Sequence, residues 1–238
     1  MFWTLTQERL CKNMAELPSI FGPIIDPENG ERPKQLVILC HGVGSDGNDL
    51  IALAPYFSKI LPAARFIAPN APEAFDMAPY GYQWFSLKDV NPETRLSGVQ
   101  RSAPILDAFI DEQLSSAGLE EKDMVLIGFS QGTMMALHVG LRRKRPLAGI
   151  IGYSGMLVGE HLLEKQIKSK PPVLLVHGDS DDVVPPESLD LAVNGLIQAG
   201  IAVEHLNCPG LSHGLDDSGI KRGMDFLSKI FNVDLKTL

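Results

Sequence analysis

Asp123-Met124-Val125-Leu126-Ile127-Gly128-Phe129-Ser130-Gln131-Gly132-Thr133-Met134-Met135-Ala136-Leu137-His138-Val139 is the stretch that decides the fold. Its first third is a short apolar run that reads as a strand buried on both faces, and the part after Gly132 reads as a helix. Between them lies Gly128-Phe129-Ser130-Gln131-Gly132, a G-x-S-x-G pattern where the chain must turn sharply from strand to helix. The glycines remove side chains that would collide where the two elements cross. The serine is expected in a strained backbone conformation that holds its hydroxyl at the turn.

Working outward, strand-like and helix-like segments alternate from about residue 35 onward. That alternation predicts an α/β fold with a mostly parallel central sheet and helices on both faces. The expected strands are Gln35–Cys40, Arg65–Ala68, Met124–Phe129, Gly149–Tyr153, Val173–His177 and Val203–Leu206. Ser19–Ile25, ahead of the turn Pro27-Glu28-Asn29-Gly30, reads as an antiparallel edge strand. Asn91-Pro92-Glu93 supplies a cap, a first-turn proline and an acid for a long helix running to about Ser116 and stopped by Gly118. Pro104 inside it predicts a kink or break. Further helices are expected over Asp190–Ala199, closed by Gly200, and over Ile220–Ile230.

With 45% hydrophobic and 21% charged residues among 238, the chain has the composition of a folded globular protein, expected as a single domain over 1–238. A formal net charge of -8 disfavours nucleic acid and anionic membrane surfaces as partners. The basic run Arg142-Arg143-Lys144-Arg145 falls at the end of the helix after Ser130, where it reads as a solvated complement to the helix dipole. Cys11, Cys40 and Cys208 are odd in number and scattered, which makes no disulfide framework. The opening Met1-Phe2-Trp3-Thr4 has no basic segment leading into an apolar one. No run approaches the roughly 18 apolar residues of a membrane span. The expectation is a cytoplasmic protein without integral membrane association; exposed apolar loop residues make a homodimer an open expectation.

A serine hydroxyl needs a base to become a nucleophile, and the base needs an orienting carboxylate. After the strand Val173–His177 come Asp179, Asp181 and Asp182, among which Asp181 is favoured as the acid, expected at the loop tip. A metal site there lacks further ligands at suitable spacing, and neither metal nor cofactor is expected. Only His205 and His213 follow the acid. His205 alternates with apolar residues in a strand and reads as partly buried and structural. His213 lies in the loop Cys208-Pro209-Gly210-Leu211-Ser212-His213-Gly214 and is favoured as the base. His138 and His161 have bland readings, the first pointing away along the helix and the second on a surface helix. Two backbone N–H groups must meet the negative oxygen of a tetrahedral intermediate. Gln131 follows the serine, and Val43 lies in the glycine-rich loop His41-Gly42-Val43-Gly44. His41 itself is read as holding that loop. Ser154, in Gly152-Tyr153-Ser154-Gly155-Met156, is an imperfect second copy of the elbow, read as pocket wall.

The blocks around Gly42, Ser130, Asp181 and His213 together resemble the phospholipase/carboxylesterase family of α/β-hydrolases, which includes acyl-protein thioesterases and bacterial carboxylesterases. The resemblance runs from about residue 35 to about residue 230. It implies Ser130, Asp181 and His213 as catalytic residues and Val43 and Gln131 as oxyanion donors. Thr133 stands where thioesterase-type members usually have a further glycine, and the loop around Gln83-Trp84-Phe85 has its own sequence. The long connection 70–97 carries many aromatic groups. Trp84, Phe85 and Met77 are expected to form an acyl-binding wall with Met156 and Leu157. The expected activity is a serine carboxylic-ester hydrolase for short-to-medium acyl esters, a small-molecule ester or other acylated substrate. An acyl-protein thioesterase or lysophospholipase is the alternative, and a non-enzymatic binding module is disfavoured by the intact order of the three residues.

Overall fold

The computed structural model describes residues 17–89 and 91–233; Cys11 and the opening Met1–Thr4 lie outside them. Seven strands form one sheet. They are β1 (Ile24–Ile25), β2 (Gln35–Cys40), β3 (Ala64–Ile67), β6 (Met124–Phe129), β7 (Gly149–Tyr153), β8 (Val173–Gly178) and β9 (Val203–Cys208), with β4 (Glu73–Ala74) and β5 (Tyr82–Gln83) as a separate hairpin. Spatial order in the sheet is β1-β3-β2-β6-β7-β8-β9. Every neighbouring pair is parallel except β1, which runs antiparallel to β3 with Ile24 opposite Ile67. The expected edge strand over Ser19–Ile25 therefore shrinks to its last two residues.

The helices are α1 (Gly47–Ile51), α2 (Ala54–Phe57), α3 (Pro92–Ala117), α4 (Gln131–Gly140), α5 (Glu160–Gln166), α6 (Glu187–Gln198) and α7 (Asp217–Phe231). Asn91 caps α3 by accepting the Thr94 N–H at 2.8 Å, and Gly118 ends it in a left-handed conformation at φ 68°. Pro104 does not break this helix. Its missing N–H removes one hydrogen bond, from the Gln100 carbonyl, and the remaining turns carry the helix through. The sequence-based starts of α6 and α7 fall three residues late. Pro185-Pro186 already leads into α6, and the Asp216 carboxylate caps α7 by accepting the Gly219 N–H at 2.8 Å. β3 lies one residue earlier than expected, while β8 and β9 run on to Gly178 and Cys208.

Strand β2 shows how the sheet builds its two cores. Leu36, Ile38 and Cys40 pack into one hydrophobic layer with Val99, Leu106 and Ile110 of α3 and Met135 of α4. Val37 and Leu39, on the opposite face, join Phe57 of α2 and Phe226 and Leu227 of α7. Because both faces are covered, the central strands read as unbroken apolar runs. The edge strand β9 instead alternates, and it leaves His205 exposed where a partly buried histidine was expected. All ten residues of α4 are buried, which sets Ser130 at the head of a fully buried central helix.

One polar side chain differs from expectation. Arg143, in the supposedly solvated basic run, is 7% exposed. It binds Asp107 at 2.5 Å, Asp111 at 2.6 Å and Glu121 at 3.3 Å, joining the end of α4 to α3 and the turn before β6. His138, read as pointing away from the serine along the helix, is 5% exposed and lies inside the packing of α4.

Burial, with the nearby Arg142 charge, holds the His138 imidazole down at about 4, against an ordinary value of 6.5. Across that interval the unfolded chain binds a proton that the folded one refuses. Stability should therefore fall as pH drops from about 6.5 to about 4, by up to about 3 kcal/mol. Urea unfolding near pH 7 and near pH 4.5 checks this: His138→Leu should lose clearly less stability between the two than the parent protein.

Candidate active site

The turn from β6 to α4 is forced by close backbone contact. A Cβ on Gly132 would sit inside the van der Waals surface of the Cys40 carbonyl oxygen, and one on Gly128 would strike the Gly132 backbone. Glycine at both positions lets the start of α4 rest on the end of β2. Ser130 takes the strain at φ 52° and ψ −116°, as the pattern predicts, while its N–H donates to Tyr153 O at 2.9 Å. Thr133 Oγ1 lies 2.8 Å from Gly128 O and 2.9 Å from Tyr153 O, so its hydroxyl staples the elbow to β7.

Asp181 follows β8, yet it is 4% exposed rather than at a loop tip. Its Oδ1 accepts the N–H groups of Val183 at 2.9 Å and Val184 at 2.8 Å, and its Oδ2 meets His213 Nδ1 at 2.8 Å. Burial pushes this carboxyl up. The bonds from His213, Val184 and Val183 outweigh burial and hold it below the usual carboxylate range. The other two aspartates do different things. Asp182 is exposed, and Asp179 Oδ1 accepts Gly210 N–H at 2.6 Å, tying β8 to the loop that carries His213.

The His213 ring stacks at a tilt on Phe129, the residue before Ser130, with centroids 5.0 Å apart. The same loop is held by Ser154, whose hydroxyl donates to Gly214 O at 3.0 Å. Ser154 is 1% exposed and sits at φ 45°, so it tethers this loop rather than lining a pocket. The structure brings Asp181 and His213 into direct contact and sets the imidazole beside the elbow. No hydrogen bond joins His213 to the Ser130 hydroxyl, a bond that in ligand-free enzymes commonly tightens only with substrate.

Gln131 is the first residue of α4, where a helix has no internal acceptor for the N–H. The loop carrying Val43 abuts the serine: a Cβ on Gly42 would lie 3.3 Å from Ser130 Cβ. This loop is anchored on three sides. Gly44 N–H donates to Tyr82 O at 2.8 Å, and Tyr82 N–H donates back to Ser45 O at 2.8 Å. His41 Nε2 accepts the Ala71 N–H at 2.9 Å, so its Nδ1 carries the hydrogen and donates to Gly42 O at 2.7 Å. His41 holds the loop, as expected, and burial lowers its pKa.

The acyl-wall expectation needs correction. Trp84 and Phe85 are fully buried. Trp84 Nε1–H donates to His41 O at 3.0 Å, and Phe85 packs on Gly98, where a Cβ would lie 2.6 Å from its ring. Aromatic residues in a long connection signalled a plug, not a wall. The buried Gln131 side chain, a feature the motif did not announce, locks that plug. Its Oε1 accepts Trp84 N–H at 2.8 Å and its Nε2 donates to Phe85 O at 2.7 Å. Met77 is 62% exposed in the connection between β4 and β5. Met156 and Leu157 are half-buried, and Met156 borders a void of about 10 Å³ with Thr133 and Leu137, room for no more than one water.

Comparison with known proteins gives this geometry its context. The family model described as Phospholipase/Carboxylesterase matches residues 24–231. A curated relative, acyl-protein thioesterase 1 of Kluyveromyces lactis, is 31% identical over 164 residues, covering 64% of this chain and 72% of the relative. Among solved structures, the esterase PE8 superposes with a TM-score of 0.86 at 42% identity, covering 89% of this chain and 99% of that one. The acyl-protein thioesterase 2 of Zea mays superposes with a TM-score of 0.71 at 23% identity, covering 87% and 97%, a likeness of fold alone. The chain belongs to the phospholipase/carboxylesterase family of α/β-hydrolases and is an enzyme of serine-esterase type. Among the described residues, no helix is long and apolar enough to cross a membrane.

Because Trp84 fills core volume, Trp84→Ala should destabilise the protein by about 3–5 kcal/mol. Urea or thermal unfolding measures this, and acyl-length preference in whatever remains folded should stay where it was.

Proposed function

We propose that the protein hydrolyses carboxylic esters through Ser130, His213 and Asp181 by way of an acyl-enzyme. The observation that carries this reading is the 2.8 Å bond between a buried Asp181 carboxylate and His213 Nδ1, beside the strained elbow of Ser130. That bond leaves Nε2 of the imidazole as the nitrogen that takes the serine proton. Ser130 Oγ attacks the ester carbonyl, His213 accepts the hydroxyl proton, and Asp181 stabilises the imidazolium. The N–H groups of Val43 and Gln131 receive the oxyanion. As the tetrahedral adduct collapses, the C–O bond to the leaving alcohol breaks and His213 returns the proton to that oxygen. Water then attacks the acyl-enzyme with His213 as base, releasing the carboxylic acid and restoring the serine.

Short-to-medium acyl esters are the proposed substrates. Thr133 supports a shallow site, since its side chain fills the space against Gly152 and Gly155, where an added Cβ would lie 2.5 Å from Thr133 Cγ2 and inside the threonine side chain, respectively. The names of the curated relatives favour a second reading, acyl-protein thioesterase activity.

A fluorophosphonate probe should label the protein, and Ser130→Ala should abolish labelling; an unlabelled parent protein would defeat the reading. Asp181→Asn should lower kcat by about 10⁴ by mis-setting the imidazole tautomer. Comparing kcat/KM for aryl esters, acyl thioesters and lysophospholipids of matched chain length separates the two substrate readings.

A further inference from the structure

Asp181 has a second imidazole beside it. His177, in β8, is 2% exposed, and its Nε2 lies 3.0 Å from Val184 O and 3.2 Å from Asp181 Oδ2. A carbonyl and a carboxylate are both acceptors, so Nε2 must carry the hydrogen. This is the reverse of His41, where the Ala71 N–H makes Nε2 the acceptor. The two buried imidazoles near the site therefore hold opposite tautomers, each dictated by its neighbours.

We propose that His177 is a positioning residue for the catalytic acid: its Nε2–H locks the turn at Val184 and faces Asp181 Oδ2, keeping the carboxylate turned toward His213. This rests on the reading of Asp181 and His213 as acid and base. The hold works by two routes. Through Val184, His177 fixes a residue whose own N–H binds Asp181 Oδ1 at 2.8 Å. Through space, its N–H dipole sits by Oδ2, the oxygen that receives His213 Nδ1. A carboxylate has about four lone-pair sites. Val183, Val184 and His213 donate to three, and the His177 N–H edge faces what remains. In a buried setting an unmet site is costly and leaves the carboxylate a reason to rotate.

The backbone around this arrangement is already tight. A Cβ on Gly178 would enter the Leu211 carbonyl oxygen, and Ser180 N–H donates to that same oxygen at 3.1 Å. The loop bearing His213 thus lies directly on the end of β8. These contacts set the distance between the two chain segments. They do not set the plane of the Asp181 carboxylate, and His177 is the side chain placed to do so.

His177→Leu keeps bulk and loses the donor, while His177→Gln sets an amide N–H near the Nε2 position. The Leu variant should lose about 10- to 100-fold in kcat, by analogy with outer-shell partners at metal sites, with KM within about 2-fold. The Gln variant should recover most of that loss. In proton NMR, the downfield resonance of His213 Nδ1–H should move upfield in the Leu variant and return in the Gln variant. Long-range proton–nitrogen correlation on the parent protein should find His177 protonated at Nε2, a measurement that stands even if His177→Leu fails to fold. An unprotonated Nε2 overturns the proposal, as does a folded Leu variant with parental kcat and an unmoved His213 resonance. An unlabelled Ser130 in the parent protein would defeat the esterase reading and this role with it. A labelled parent whose Leu variant keeps its kcat would defeat the role alone.

Discussion

The contact on which the rest of the structure depends is between two backbones, where the first turn of α4 lies on the last carbonyls of β2. It excludes any side chain at Gly132, and the fold-back of the same first turn on β6 excludes any at Gly128. With that approach made, Ser130 stands at φ 52° between strand and helix. The same approach brings the Gly42 backbone against Ser130 and leaves the Gln131 N–H at the open start of a helix. The proposed nucleophile and the proposed oxyanion donors are thus products of one packing event. The strain it stores, of order 1–3 kcal/mol per residue, is held by a helix buried at every position.

Around that contact, the polar groups of the site are ordered by donors that cannot move far. The Asp181 carboxylate is buried and stays ionised because two backbone N–H groups and one imidazole bind it directly, with a second imidazole facing it. The loop of His213 is fastened from both sides, by Asp179 through Gly210 and by Ser154 through Gly214. The loop of Val43 is fastened by the hairpin through Tyr82 and by His41 through Ala71. Long, polar connections of this kind are ordinarily the mobile part of a fold. Here each is tied to strand ends, which is how side chains far apart in sequence keep one geometry.

Reading these loops from sequence failed wherever composition stood in for position. Trp84 and Phe85 lie in a long connection with several prolines and aromatics, which looks like a surface loop with an apolar purpose. In the fold, Gln131 pins their backbone and they fill core. Arg143 sat in a basic run that looked solvated, yet three carboxylates from α3 and the turn before β6 converge on it. His205 alternated with apolar residues as a half-buried strand should, but β9 is an edge strand and its histidine faces outward. Asp181 was preferred over Asp182 on a picture of a protruding tip, whereas it turns inward because Val183 and Val184 offer it their N–H groups. In each case the deciding partner is distant in sequence or set by a local turn geometry that residue types alone do not specify.

By itself, the sequence determined the alternation of buried strands and helices, the glycine-framed elbow at Ser130, and the order in which Ser130, the three aspartates after β8 and His213 follow one another. Those features are local or periodic: steric exclusion at a turn and the burial of a strand on two faces are written in consecutive residues. Only the tertiary structure decided which aspartate meets His213, that Trp84 and Phe85 of the 70–97 connection plug the core, and that Gln131 and Ser154 brace the site. Those are contacts between segments tens of residues apart, and their geometry exists only once the sheet has brought the strand ends to one edge.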